Sequence, residues 1–177
     1  MHDVTFIIKA FERQEALDRC VQSVQEIFPG YPIVVADDSF EELTVPEGVE
    51  YLRLPYDSGL SVGRNALIDH ATTDLVFLLD EDTVILEGAD LDGMIYHLDS
   101  RGLDILAGED VSNLAWHGLL VKPKSGDRIT HLYGRKHKDG TCDFVLNFFL
   151  ARRKALQRVR WDERLKMTTY RILLVIT

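Results

Sequence analysis

Apolar residues fall along this chain in two rhythms. Val4-Thr5-Phe6-Ile7-Ile8, Pro32-Ile33-Val34-Val35-Ala36 and Asp74 to Leu79 are short, nearly unbroken blocks rich in β-branched and aromatic residues. A half-exposed strand would alternate, so such blocks predict strands buried on both faces. Between the first two blocks the rhythm changes. Ala16, Leu17, Cys20, Val21, Val24, Ile27 and Phe28 recur at steps of three and four, which predicts an amphipathic helix over Arg13 to Phe28. Pro29-Gly30 ends it. Val49 to Leu54 alternates and predicts a third strand. A second helix is expected from Leu60 to Ala71, capped by Ser58 or Ser61, and a third from Ala89 to Leu98. Gly118 to Lys122, Arg128 to Tyr133 and Phe144 to Ala151 read as strands of a second, partly antiparallel sheet.

Strand, helix, strand, strand, helix, strand in this order implies an α/β fold with a mostly parallel sheet flanked by helices. Such sheets receive ligands beyond the carboxyl ends of their strands. Three segments fall at that edge: the loop from Lys9 to Arg13, Asp37-Asp38, and Asp80-Glu81-Asp82.

The 177 residues suit one domain, with no internal repeat and no low-complexity linker. A net charge of -9 argues against wrapping a nucleic-acid backbone, because basic patches dominate that affinity. It leaves room for a small anionic ligand brought in through a carboxylate-held metal. Two distant cysteines, Cys20 and Cys142, predict no disulfide framework and fit a reducing, cytoplasmic setting. The N-terminus lacks the pattern of a secretory signal. No apolar run reaches the roughly 20 residues of a membrane span.

At the fourth strand end, alternation is expected to aim Asp80 and Asp82 to one side. Two carboxylates there suit Mg²⁺ or Mn²⁺, which take one or two protein oxygens and complete their shells with phosphate and water. The competing reading is a solvated acidic turn. Asp37 or Asp38 can accept from a ribose hydroxyl or a base N–H, or can simply shape a turn. Gly59 and Gly63 allow backbone to approach a ligand, and Arg64 offers a donor fork to a base carbonyl or a phosphate. This loop lacks the Gly-Lys-Ser/Thr ending of a phosphate-cradling loop and the three glycines of a dinucleotide fingerprint. The six histidines show no zinc-like spacing with cysteine. Asn147, alone in a strongly apolar stretch, needs partners if buried.

VTFIIKAFERQEAL, VVADDS, DSGLSVGRNALIDHATTDLVFLLDED, NFFLARR and WDERL, in this order, resemble the nucleotide-sugar-dependent glycosyltransferases of the GT-A fold, in the broad family 2-like group. The pairing of LLDEDTV with NFFLAR and WDERL looks most like the β-1,4-N-acetylgalactosaminyltransferases that make gangliosides. The resemblance implies a nucleotide-binding half over about 1–100 and an acceptor half over about 101–177. It implies a nucleotide-sugar donor, expected to be a UDP-sugar, and an inverting transfer to a glycan or lipid-linked hydroxyl. Asp80-Glu81-Asp82 matches the DXD motif, so Asp82 is expected to bind Mn²⁺ or Mg²⁺ and Asp80 to assist through ribose or metal. Asp37 or Asp38 would contact uracil or ribose, Arg64 would reach the base, and Ala10, Phe11, Glu12 and Arg13 would line the nucleotide pocket beside Gly59. Trp116, His117 and Asn147 are the acceptor-side candidates. The setting implied is polysaccharide biosynthesis in the cytoplasm, with peripheral contact at the inner face of the membrane.

The pattern departs from the family after WDERL. There the family carries an acidic motif before paired aromatics, which supplies the base that deprotonates the acceptor. Here Lys166 to Thr177 holds no Asp or Glu, leaving Asp162 and Glu163 as the candidates for that base. Thr-Tyr-Arg-Ile-Leu-Leu-Val can be encoded so that a one-base shift reads His-Thr-Glu-Phe-Phe-Leu-Leu. A frameshifted, truncated C-terminus is therefore an expectation that sequencing the gene would check. The apolar Ile172 to Ile176 could serve as a homodimer contact. Two alternatives stay open: a protein that binds donor but transfers poorly, and a nucleotidyltransferase. The second is disfavoured because KAFERQEAL lacks the glycine-rich loop such enzymes carry after strand one.

Overall fold

The three unbroken apolar blocks lie side by side in the middle of one six-stranded sheet. A computed structural model describes residues 4–108, 118–121, 130–133 and 147–165. In chain order the strands are β1 (Val4–Ala10), β2 (Ile33–Asp37), β3 (Glu50–Arg53), β4 (Leu75–Asp80), β5 (Ile105–Ala107), β6 (Gly118–Val121), β7 (Thr130–Tyr133) and β8 (Phe148–Arg152). The helices are α1 (Gln14–Ile27), α2 (Leu60–His70), α3 (Leu91–Ser100) and α4 (Arg153–Arg158). The sheet runs β3-β2-β1-β4-β8-β5, and β6 pairs with β7 in a separate antiparallel ribbon. β1 is parallel to both neighbours, so Lys9 lies between Ala36 of β2 and Asp80 of β4.

Both faces of the sheet are covered, which is why the central strands are apolar throughout. On one face Phe6, Ile8, Val35, Phe77 and Leu79 pack with Leu17, Val21 and Val24 of α1 and Ile95 and Leu98 of α3. Phe6 stacks on Phe28 and Phe77 at 5.4 and 5.3 Å between centroids, fixing how α1 returns to the sheet. On the other face Ile7, Val34, Val76 and Leu78 meet Leu67 and Ile68 of α2, Leu156 of α4 and Trp161. Each large side chain buried this way contributes about 1.5–3 kcal/mol over its exposed state.

The sheet corrects several expectations. Phe148–Arg152 does not join a second sheet. It enters the main one antiparallel to β4, with Phe77 beside Leu150. Short β5 then pairs antiparallel to β8. Neither Ser58 nor Ser61 caps α2: the N-cap is Gly59, at φ +93°, with no side-chain cap bond. Ser58 donates instead to Pro55 O, and Ser61 to Leu165 O. Among the described residues no helix is long and apolar enough to cross a membrane.

Candidate functional site

Alternation along each strand decides which helix meets each acid. In β2, Ile33 and Val35 face the α1 side, so Asp37 falls on that side too. In β4, Val76 and Leu78 face α2, so Asp80 is delivered to α2 and its Arg64. Beyond Asp80 the chain turns, with Thr83 N donating to Asp80 O at 2.9 Å. The alternation stops there. Asp82 and Glu81 share one partner, Arg13, while Asp80 is held by other groups.

Asp37 and Asp38 are taken up by protein groups. Asp37 is fully buried and accepts from Ser39 N (2.8 Å), Ser39 Oγ (2.5 Å), Leu43 N (3.0 Å), Tyr51 OH (2.6 Å) and Arg53 Nη1 (2.8 Å). Burial pushes this carboxyl up, but the hydrogen bonds from Ser39, Tyr51 and Leu43 outweigh it and hold it below its ordinary value. Burial and the bond to Asp37 push the Tyr51 phenol up to about 12. Asp38 accepts Gly59 N at 2.7 Å on Oδ2 and pairs through Oδ1 with the buried ammonium of Lys9. Lys9 also donates to Ala10 O at 2.6 Å. Its stem lies along α2 at Gly63, where an added Cβ would stand 2.2 Å from Lys9 Cδ.

Asp80 is held from two elements. Arg64 Nη2 donates to Oδ1 at 2.8 Å, and Asn147 Nδ2, just before β8, donates to Oδ2 at 3.1 Å. Asn147, expected on the acceptor side, thus lies against the acidic strand end. Arg64 is only 1% exposed. Among the described residues its Nε and Nη1 have no hydrogen-bond partner. Burial pushes the guanidinium below its ordinary value, against the pull of Asp80. Glu81 and Asp82 instead face Arg13, at the start of α1. Arg13 gives Nε and Nη2 to Glu81 Oε1 at 3.0 and 2.6 Å, and Nη1 to Asp82 Oδ2 at 3.0 Å. Glu81 is buried, which raises its carboxyl despite Arg13. The Asp82 side chain remains 56% exposed.

The loop after β1 closes the site beside β2. Glu12 takes φ +60°, its N–H donates to Ser39 Oγ at 2.7 Å, and its carboxylate accepts Phe40 N at 2.7 Å. Exposed faces of Phe11, Phe40 and Tyr56 gather at this rim, with Tyr56 6.3 Å from Phe11 and 5.5 Å from Phe40. Such faces can hold a planar group. A cavity of about 290 Å³ near Phe28, Tyr31 and Glu47 opens at the start of β2, at the opposite edge of the sheet.

The segment 161–165 also reaches this region. Asn65 accepts Trp161 N at 3.1 Å and donates to Trp161 O at 3.0 Å and Glu163 Oε1 at 2.8 Å. Asp162 binds Arg164, which holds its carboxyl well below the usual range. Trp116, His117 and the tail 166–177 lie outside the described residues. Sequence reasoning placed Lys9 at the ligand edge without its pairing to Asp38, and missed the roles of Asn65 and the rim aromatics Phe40 and Tyr56. The signal for Lys9 was a lone cation closing an otherwise apolar block.

Among the described residues no three His, Cys, Asp or Glu side chains are grouped to cage a metal. The donor set fits a different kind of site. One half-exposed carboxylate, Asp82, backed by Asp80 and Glu81, suits a hard cation that draws its other oxygens from phosphate and water.

Known proteins share this chain's sequence pattern and fold. The model of glycosyl transferase family 2 matches residues 5–160. The chain is 31% identical over 175 residues to β-1,4 N-acetylgalactosaminyltransferase 2 of Mus musculus and 30% identical over 183 residues to β-1,4 N-acetylgalactosaminyltransferase 1 of Homo sapiens. Each alignment covers 94% of this chain and 34% of the relative, so the chain spans about a third of their length. S. aureus TarS superposes with a TM-score of 0.63 at 16% identity, over 94% of this chain and 52% of that one. TarS in complex with UDP superposes at 0.64 and 15% identity, with the same coverage. The shared architecture is the GT-A sheet. Since the family model takes in both acidic strand ends and α2 between them, the chain belongs to glycosyl transferase family 2.

Proposed function

We propose that this chain binds a nucleotide-sugar, with UDP as the nucleotide, and transfers the sugar to a hydroxyl of a glycan or lipid-linked acceptor. The observation that carries this reading is the juxtaposition, at one edge of a parallel sheet, of a half-exposed Asp82, a braced Asp80 and a rim of aromatic faces. It gains support from family membership and from a solved TarS complex that contains UDP. The names of the curated relatives make N-acetylgalactosamine the first sugar to test.

In this reading Phe11 and Tyr56 hold the planar base. The clamped loop from Asp37 to Ser39 sets the floor of the base and ribose pocket. Arg64 carries two donors for a donor oxygen. Asp82 holds Mn²⁺ or Mg²⁺, with Asp80 as its second candidate ligand. The ion supplies neutralisation of the charge that grows on the leaving diphosphate. Transfer proceeds by one in-line displacement with inversion, which needs a base on the acceptor. Lacking a positioned base, a glycosyl transfer slows by about 10²- to 10⁴-fold.

Calorimetric titration with UDP, with and without Mn²⁺, tests the donor reading. Metal-dependent binding that disappears in Asp82→Ala is expected. A preference for nucleoside triphosphates irrespective of base would overturn it. The anomeric configuration of the product, read by proton NMR, tests inversion.

A further inference from the structure

Ser61, Arg64 and Asn65 fall on one face of α2, at i, i+3 and i+4. All three touch the segment 161–165. Ser61 Oγ donates to Leu165 O at 3.1 Å, and Asn65 makes its three bonds to Trp161 and Glu163. The Arg64 guanidinium stands 5.7 Å from the Trp161 ring centre. The same guanidinium holds Asp80. One helix face therefore grips the acidic strand end and a segment some 80 residues further along the chain at the same time.

Two features make this grip more than packing. Asn65 is 2% exposed, and both ends of its amide are used, so its orientation is fixed by the 161–163 backbone. Arg64 retains two buried donors without a partner among the described residues. Buried donors left unmatched are costly, so an incoming ligand oxygen would draw this side chain towards it. Arg64 cannot re-aim without changing its approach to Trp161, and Trp161 is tied at both N–H and carbonyl to Asn65.

We infer that Asn65 is a positioning residue: it locks 161–165 to the α2 face that carries Arg64, so that donor occupancy at Asp80 also sets the placement of that segment. The inference rests on the donor reading above. Its chemistry is hydrogen bonding alone, with no bond made or broken.

Trypsin supplies the test, since Arg160 and Arg164 bracket the segment. The native chain, Asn65→Asp, Glu163→Ala and the double variant Asn65→Asp/Glu163→Gln are titrated with UDP and Mn²⁺. Emission of Trp161, isolated by subtracting a Trp161→Phe control, is followed together with the rate of cleavage after Arg164. In the native chain UDP is expected to shift the emission and slow cleavage several-fold. Asn65→Asp sets a carboxylate against Glu163 and the Trp161 carbonyl. It is expected to speed cleavage about tenfold and abolish its response to UDP, with UDP affinity kept within threefold. In the double variant the introduced amide can donate to the introduced carboxylate, which should recover at least half of the protection. Glu163→Ala alters only an exposed side chain, so it keeps the test open if Asn65→Asp fails to fold; a two- to threefold faster cleavage is expected. UDP binding with no change in Trp161 emission or in cleavage after Arg164 would overturn the coupling alone. No UDP binding by the native chain would overturn the donor reading and the coupling with it.

Discussion

Two strand ends carry almost the same letters and use them oppositely. At the end of β2, Asp37 and Asp38 are sealed: five donors saturate the first, and Lys9 with Gly59 N holds the second. At the end of β4, Asp80 is braced but Asp82 projects, tied among the described residues to a half-exposed arginine. The first arrangement gives shape, because a buried carboxylate ringed by donors fixes the backbone of every donor. The second leaves a carboxylate with spare lone pairs, which is what the proposed cation site requires. The difference arises from the path of the chain beyond the acids. After Asp38 the chain folds back, so Ser39 and Leu43 return their N–H groups to Asp37. After Asp80 it turns outward.

Exchanging the two roles by mutation is the strongest way to break this comparison. Asp37→Ala strands Arg53, Tyr51 and three further donors. Loss of one side of such a buried network costs about 3–5 kcal/mol of stability, readable by urea denaturation. Asp82→Ala should leave stability within about 0.5 kcal/mol, as surface changes do, yet weaken Mn²⁺-dependent UDP binding by about 10²-fold or more in calorimetry. Equal destabilisation by both would erase the distinction. A smaller effect is expected from Arg13→Ala. Arg13 occupies Asp82 with a guanidinium, so its removal should tighten binding of Mn²⁺ alone about two- to fivefold by electron paramagnetic resonance, the size of a half-exposed pair.

The smallest effect is in pH dependence, where the two ends should have opposite signs. The Asp37 carboxyl lies below its ordinary 3.8 in the fold, so its contribution is present above that pH and lost as pH falls through the folded value. The Glu81 carboxyl lies above its ordinary 4.5, so the fold favours its protonated form. Its contribution is present below 4.5 and lost as pH rises through the folded value. Stability measured against pH should therefore lose its acid-side slope in Asp37→Asn and the opposing slope above 4.5 in Glu81→Gln.

How far the sequence could be read depends on the range of the interactions. β1, β2, β4 and α1 were legible because burial on both faces and a 3.6-residue period leave local marks. The direction of β8 was not, since an apolar block has the same composition whichever way it runs. The cap of α2 was misread because two serines flank Gly59, and a serine has no mark to say that its hydroxyl is spent on Pro55 O or Leu165 O. At the site, the sheet-edge rule singled out the right loops. Who holds whom was hidden: Arg64 with Asp80, Asn147 with Asp80 and Asn65 with Trp161 join residues 16, 67 and 96 positions apart.

Gly63 carries one more consequence. The space a side chain would need there is filled by the stem of Lys9, whose head neutralises Asp38. These three positions therefore behave as one heritable unit. Alanine at 63 would displace the stem of Lys9, and with it the ammonium that pairs with Asp38. Among relatives of this chain, small residue at 63, long cation at 9 and acid at 38 should come and go together.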